Sequence, residues 1–244
     1  MTTEQIAHNL SDIRTQIADA AVAAGRNVSS IKLCAVSKFH PVESIYSAIE
    51  SGQLLFGENR VQEAYEKFSL LKKDTALPTK PVLHIIGSLQ LNKVKHAVEI
   101  ASCIQSVDRK ELLDEIEKQC KKQNKQITVF FELHTGEESK SGYRSIDDLH
   151  ESVELCAKGT YTHIIPQGLM TMAPFTENTT VIHKSFSMLR ETAMLLNKEF
   201  PEIPLTELSM GMSNDFKIAI EEGSTMVRIG TAIFGQRETN IAKD

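Results

Sequence analysis

Lys38 closes an apolar run and is the first residue in the chain suited to covalent chemistry. In Ile31-Lys-Leu-Cys-Ala-Val-Ser-Lys38 it stands between Val36 and Phe39. Partial desolvation of its ammonium would lower its pKa and favour the neutral amine that condenses with an aldehyde. The same position equally suits a lysine that snorkels from a strand end to water. A second constellation is Gly223-Ser-Thr-Met-Val-Arg228-Ile-Gly230-Thr231-Ala-Ile-Phe-Gly235, an apolar run that carries Arg228 and then opens into small residues. Gly230 lets an anion approach the backbone closely, and Thr231 adds a hydroxyl. Upstream, Met210-Gly-Met-Ser213-Asn-Asp215 precedes a helical stretch from Phe216 to Glu222, so Ser213 is placed to cap that helix and to donate to the same anion. Turn formation alone would also account for these glycines and serines.

Other patterns are excluded or left open. Gly230 to Gly235 has the glycine spacing of a nucleotide loop, but Gln236-Arg237 follows where Lys-Ser/Thr is required. Gly211-Met-Ser213-Asn-Asp215 lacks the second glycine of a nucleophile elbow. The eight histidines show no H-E-x-x-H spacing, so His84, His134 and His163 read as core or supporting groups and no metal is expected. Lys118, Lys121, Lys122 and Lys125 form a basic stretch at a helix end, where the dipole favours them. Lys140, in Gly136-Glu-Glu-Ser-Lys-Ser-Gly142, suits either an exposed loop or an anion contact at the rim of a site.

The elements that must position these residues follow from hydrophobic periodicity. Ile6, Leu10, Ile13 and Ile17 fall at helical steps and predict an opening helix over 4–24. Eight apolar runs read as strands: those beginning at Ile31, Gln53, Val82, Cys103, Ile127, Thr162 (running into Gly168-Leu-Met170), Leu205 and Met226. Helical stripes separate them, for example Ile146, Leu149, Val153 and Cys156, or Ile182, Phe186, Leu189, Ala193 and Leu196. Eight β-α units in 244 residues match a single closed (β/α)8 barrel, with an open doubly wound sheet as the runner-up. In such a barrel the strand C-termini form the active face, and the loops after strands seven and eight commonly hold phosphate. No linker or composition step divides residues 1–244, and the polar tail 239–244 is expected to fray.

Composition narrows the partners. Hydrophobic residues make up 41% and charged residues 24%, which is ordinary globular usage, and the net charge of -5 disfavours nucleic acid. The four cysteines form no close pair, which fits a reducing cytoplasm, and no segment reads as a secretory signal or a membrane span.

Ala35-Val-Ser-Lys38, Phe56-Gly-Glu-Asn59 with Val61-Gln-Glu63, His84-Ile-Ile-Gly87 with Leu89-Gln90 and Asn92-Lys93, Glu138-Ser-Lys-Ser-Gly142, Gly168-Leu-Met170, Leu208-Ser-Met-Gly-Met-Ser213 and Val227-Arg-Ile-Gly-Thr231 occur in one order along the chain. The set, spanning about Ile31 to Gln236, resembles the pyridoxal phosphate homeostasis proteins. The resemblance implies a barrel similar to the N-terminal domain of alanine racemase, with pyridoxal 5'-phosphate held as a Schiff base on Lys38. It implies Arg228 at the pyridine nitrogen, Gly230, Thr231 and Ser213 at the phosphate, and Asn59, His84 and Met170 lining the ring pocket. Leu133, where the family pattern carries asparagine, and Phe39-His40, in place of a Thr-Lys type of pair, depart from it; Pro41 is kept.

A guanidinium stays protonated, so beside the ring nitrogen it discourages full protonation there and weakens the ring as an electron sink. In alanine racemase a further domain and a partner subunit help to build the opposite face, and here the chain is expected to end with its barrel. The resemblance therefore implies a carrier that stores the cofactor and delivers it to apo-enzymes, working as a monomer with no catalytic residue of its own. The alternatives are an amino-acid racemase dependent on pyridoxal phosphate, and a phosphosugar or nucleotide barrel with no such cofactor.

Overall fold

The apolar runs become eight short parallel strands, each followed by a helix. In a computed structural model, residues 1–136 and 141–236 are described. After α1 (Thr3–Ala23), the described residues run β1 (Lys32–Val36), α2 (Val42–Glu50), β2 (Leu55–Glu58), α3 (Val61–Lys73), β3 (Val82–Ile85), α4 (Val94–Ile100), β4 (Cys103–Val107) and α5 (Lys110–Gln123). They continue with β5 (Ile127–Glu132), α6 (Ile146–Ala157), β6 (Ile164–Met170), α7 (Thr179–Glu199), β7 (Glu207–Ser209), α8 (Phe216–Glu221), β8 (Met226–Ile229) and α9 (Thr231–Phe234). Each strand pairs with the next, and β8 pairs back to β1, so the barrel is closed and an open sheet is excluded. At the seam Lys32 faces Met226, Cys34 faces Arg228 and Ala35 faces Ile229.

Strand alternation sorts side chains into two layers. Cys34, Cys103, Phe130, Met170 and Met226 pack together inside the barrel. Their chain neighbours Ala35, Ile104, Val129, Phe131, Leu169 and Val227 join the larger core between sheet and helices. A fully buried Leu, Ile, Val or Phe in that layer contributes about 1.5–3 kcal/mol by removal from water. The opening helix begins at Thr3 because Thr2 and Gln5 form a reciprocal capping box. Its buried stripe of Ile6, Leu10, Ile13, Ile17 and Ala21 packs against α2, α8 and α9, across the closing seam.

Three local features depart from the sequence expectation. The first strand stops at Val36, two residues before Lys38, which lies in the following turn. The sixth strand is continuous from Ile164 and passes through Pro166. Its register against β5 shifts between Val129 and Phe130, and such irregularities are where a strand tolerates a proline. The helix α8 has Asp215, not Ser213, at its N-cap position, and the Asp215 carboxylate accepts the Met212 N–H at 2.5 Å. The tail 239–244 and Lys140 lie outside the described residues. Among the described residues no helix is long and apolar enough to cross a membrane, and no cluster of His, Cys, Asp or Glu is suited to a metal.

Gly168 is a point of close approach between β6 and β7, because a Cβ there would stand 2.1 Å from the Glu207 carbonyl oxygen. Gly168→Ala is expected to destabilise the barrel by about 1–3 kcal/mol, since backbone must shift to admit the methyl group. A urea titration checks this through a lower midpoint at unchanged slope.

Candidate functional site

A cleft of about 1010 Å³ opens at the C-terminal ends of the strands, lined by residues from both ends of the chain. Val36 ends β1 and Lys38 lies in the turn after it, Asn59 and Ile86 directly follow β2 and β3, Met172 to Glu177 come from the loop after β6, Met212 to Asp215 from the loop after β7, and Arg228, Gly230 and Thr231 from β8 and the start of α9. Six of the eight residues singled out from sequence therefore share one cavity: Lys38, Asn59, Ser213, Arg228, Gly230 and Thr231.

Lys38 is half-buried on a tight turn in which the His40 N–H donates to the Ser37 carbonyl at 3.1 Å. The next residue, Phe39, has φ 66°, the left-handed region that non-glycine residues seldom adopt. Across the seam, Gly230 approaches this segment closely: a Cβ on it would lie 2.9 Å from the Val36 carbonyl oxygen. Glycine is needed here for this close approach to Val36, and Gly230 itself lines the cleft. Ser213, not engaged as the N-cap, lines the same cavity.

Arg228 is buried, and three acceptors fix it. One Nη donates to the Ser209 carbonyl at 2.6 Å and to the Ser209 hydroxyl at 2.7 Å; the other donates to the Thr171 carbonyl at 2.8 Å. Burial pulls its pKa down, opposed by the charges of Glu132 and Asp215, and a guanidinium in such company stays protonated. Asp215 is raised by burial and drawn back by the Met212 N–H and by Arg228. The cleft thus holds a fixed cation over a floor of backbone, which suits an anionic ligand. Asn59 adds an open valence, because its Oδ1 is buried and has no hydrogen-bond partner among the described residues. Such an atom costs about 1–3 kcal/mol until a donor meets it.

His84 and Met170, expected at the ring pocket, are not among the residues that line the cleft. Met170 packs inside the barrel against Cys34, Cys103, Phe130 and Met226. The His84 Nδ1 accepts from the Gln105 amide at 2.7 Å, and its ring meets Phe130 edge-on. Gln105 in turn accepts from the Ser209 hydroxyl at 2.6 Å, so a chain of bonds runs from Arg228 through Ser209 and Gln105 to His84. The sequence reading missed Gln105 and Ser209. Their signal is a polar residue on the inward-facing positions of apolar strands, beside Cys103 and opposite Met226.

The chain matches, over residues 2–238, the family model described as alanine racemase, N-terminal domain. It is 41% identical over 233 residues to the pyridoxal phosphate homeostasis protein of Aquifex aeolicus, covering 94% of this chain and 97% of that one. The chain belongs to the pyridoxal phosphate homeostasis protein family. PipY of Synechococcus elongatus, solved with pyridoxal phosphate bound, superposes with a TM-score of 0.82 at 32% identity, covering 94% of this chain and 100% of that one. Alanine racemase from Bacillus anthracis shares the fold at 18% identity and a TM-score of 0.69, and 57% of its length is covered.

Burial, then the charge of Lys32, pushes the His84 pKa from 6.5 down to about 4, so the imidazole is neutral in the folded chain. An unfolded chain takes up this proton near pH 6.5 and the folded one only near 4, so the associated stability is present above pH 6.5 and lost as the pH falls through that window. Unfolding free energy should therefore drop more for the wild type than for His84→Gln on acidification across this range, by on the order of 2 kcal/mol, as denaturant titrations at several pH values would show.

Proposed function

We propose that this protein binds pyridoxal 5'-phosphate on Lys38 and acts as a reversible store of the cofactor, releasing it to apo-enzymes without turning over a substrate. The supporting observation is that an amine from the first strand end, a buried guanidinium from the eighth, and the Gly230–Thr231 turn share one cleft. The residues present fit the group. Gly230 and Thr231 line the cleft beside Arg228, and Asn59 offers a buried acceptor with no partner among the described residues. When bound, the aldehyde supplies an electrophilic carbon with which an amine condenses reversibly, forming one C=N bond and releasing one water.

The chain's own residues have separable tasks. Lys38 provides the amine; Ser213, Thr231 and the backbone at Gly230 bind the phosphate; Arg228 faces the ring nitrogen; and Asn59 meets the ring hydroxyl. Arg228 cannot surrender its proton, so the ring nitrogen is left a poor acceptor of charge. Asp215, a buried carboxylate of the cleft, is tied to the Met212 N–H and feels the charge of Arg228. Neither group is arranged to shuttle a substrate's α-proton, which favours storage over racemisation. A monomer in the cytoplasm completes the proposal.

Wild-type protein mixed with pyridoxal 5'-phosphate should turn yellow, and borohydride reduction with peptide mapping should place the attachment on Lys38. Lys38→Ala should lose the coloured band and weaken retention by about tenfold or more. Incubation with alanine in deuterated water should give no sustained α-proton exchange; exchange that depends on Lys38 would make the protein an enzyme, and a wild type that never colours would remove the cofactor.

A further inference from the structure

Beneath the Lys38 turn lies a buried ion cluster that no step of the proposed binding uses. Lys67, on α3, is only 7% exposed, and Glu58, at the end of β2, is fully buried. The Lys67 ammonium lies 2.5 Å from a Glu58 carboxylate oxygen and 2.8 Å from one of Glu63, one helical turn before it. The same ammonium donates to the carbonyls of Ser37 at 2.9 Å and His40 at 3.2 Å. The two carboxylates reach the turn as well. Glu58 accepts from the Ser37 hydroxyl at 2.7 Å, and Glu63 accepts from the Phe39 N–H at 2.5 Å.

Every backbone contact of this cluster falls on a residue flanking Lys38. Ser37 is held before it, Phe39 and His40 after it, and Phe39 is kept in its left-handed conformation. A non-glycine residue in that region costs about 1–2 kcal/mol, and such strain persists only where surroundings over-determine it. A buried ion cluster is also a poor source of net stability, since desolvation offsets most of its attraction. Its return must then be sought in geometry. A lysine has four rotatable side-chain bonds, so the placing of its amine depends first on the fixity of its Cα.

We propose that Lys67, held by Glu58 and Glu63, is a positioning residue that fixes the Ser37–His40 turn so that the Lys38 amine meets a ligand aldehyde already seated in the cleft. The inference rests on the function proposed above. The phosphate grip lies on other elements, so the cluster governs covalent capture and leaves non-covalent seating to Ser213, Gly230 and Thr231.

Two ligands separate these effects: pyridoxal 5'-phosphate, and pyridoxine 5'-phosphate, which carries an alcohol in place of the aldehyde and cannot condense. Lys67→Met should weaken the aldehyde by about tenfold and lower the borohydride-trapped fraction, while binding of the alcohol changes less than about twofold. Glu63→Gln, a change at a half-buried position that weakens both the charged hold on Phe39 and the pairing with Lys67, should move both readouts in the same direction and serves where Lys67→Met does not fold. Equal weakening of both ligands, or unchanged aldehyde capture in a folded variant, overturns the positioning role. Lys38→Ala run in parallel identifies a different failure: if it still captures the aldehyde covalently, Lys38 is not the attachment point and the reading beneath falls with the inference.

Discussion

The pairing of β8 with β1 is the constraint on which the site depends. Four consecutive register pairs, from Lys32 with Met226 to Ala35 with Ile229, bring the two ends of the chain into contact. Beyond the last pair both segments leave the sheet in the same direction, one into the Lys38 turn and the other into Gly230 and Thr231. The close approach of Gly230 to the Val36 carbonyl is the local expression of this closure. A lysine and a glycine-threonine turn separated by nearly the whole sequence thereby line one cleft. The opening helix reinforces the arrangement from outside, since its apolar stripe packs across α2, α8 and α9, the helices that flank the seam. Loss of the closing pairs would leave each half of the site intact in sequence and useless in space.

Periodicity made the barrel legible because parallel strands buried on both faces read as short apolar runs, and the helices between them carry regular stripes. The chemical types of Lys38, Arg228, Gly230 and Thr231 were legible because lysine and arginine at strand ends, and small residues after them, are unusual in a barrel that needs only packing. Depth within the barrel was not legible. His84 and Met170 stand inside recognised motifs, yet strand alternation turns them into the barrel interior, where Met170 packs against Phe130 and Met226 and His84 meets Gln105. Sequence spacing carries the face of the sheet on which a residue lies, and much less about its height along the axis.

Contacts between elements were similarly hidden. Glu58 and Glu63 stand inside a recognised motif, but nothing in it says that they converge on Lys67 or that all three hold the backbone around Lys38. A lysine one turn after a glutamate on a helix reads as a solvated i,i+4 pair. Only the approach of α3 to β2 and to the turn after β1 takes Lys67 out of water and turns a surface pattern into a clamp. Ser213 shows the reverse case. A serine before a helix reads as its cap, but Asp215 takes that position and Ser213 lines the cleft.

The barrel interior is polar along one line, and that line has a direction. Arg228 donates to Ser209, whose hydroxyl donates to Gln105, whose amide donates to His84. Each bond in the chain requires the next to be oriented the same way, and the last requires an unprotonated Nδ1. Burial and the Lys32 charge keep His84 in that state. A neutral imidazole far from the cleft therefore fixes the rotamer of a glutamine, which fixes a hydroxyl, which helps to hold a guanidinium at the cleft floor. Because both ends of that guanidinium are also spent on the Ser209 and Thr171 carbonyls, Arg228 cannot swing to follow a ligand. A ligand that meets Arg228 therefore has to come to the charge, because a guanidinium held at both ends cannot move to meet the ligand.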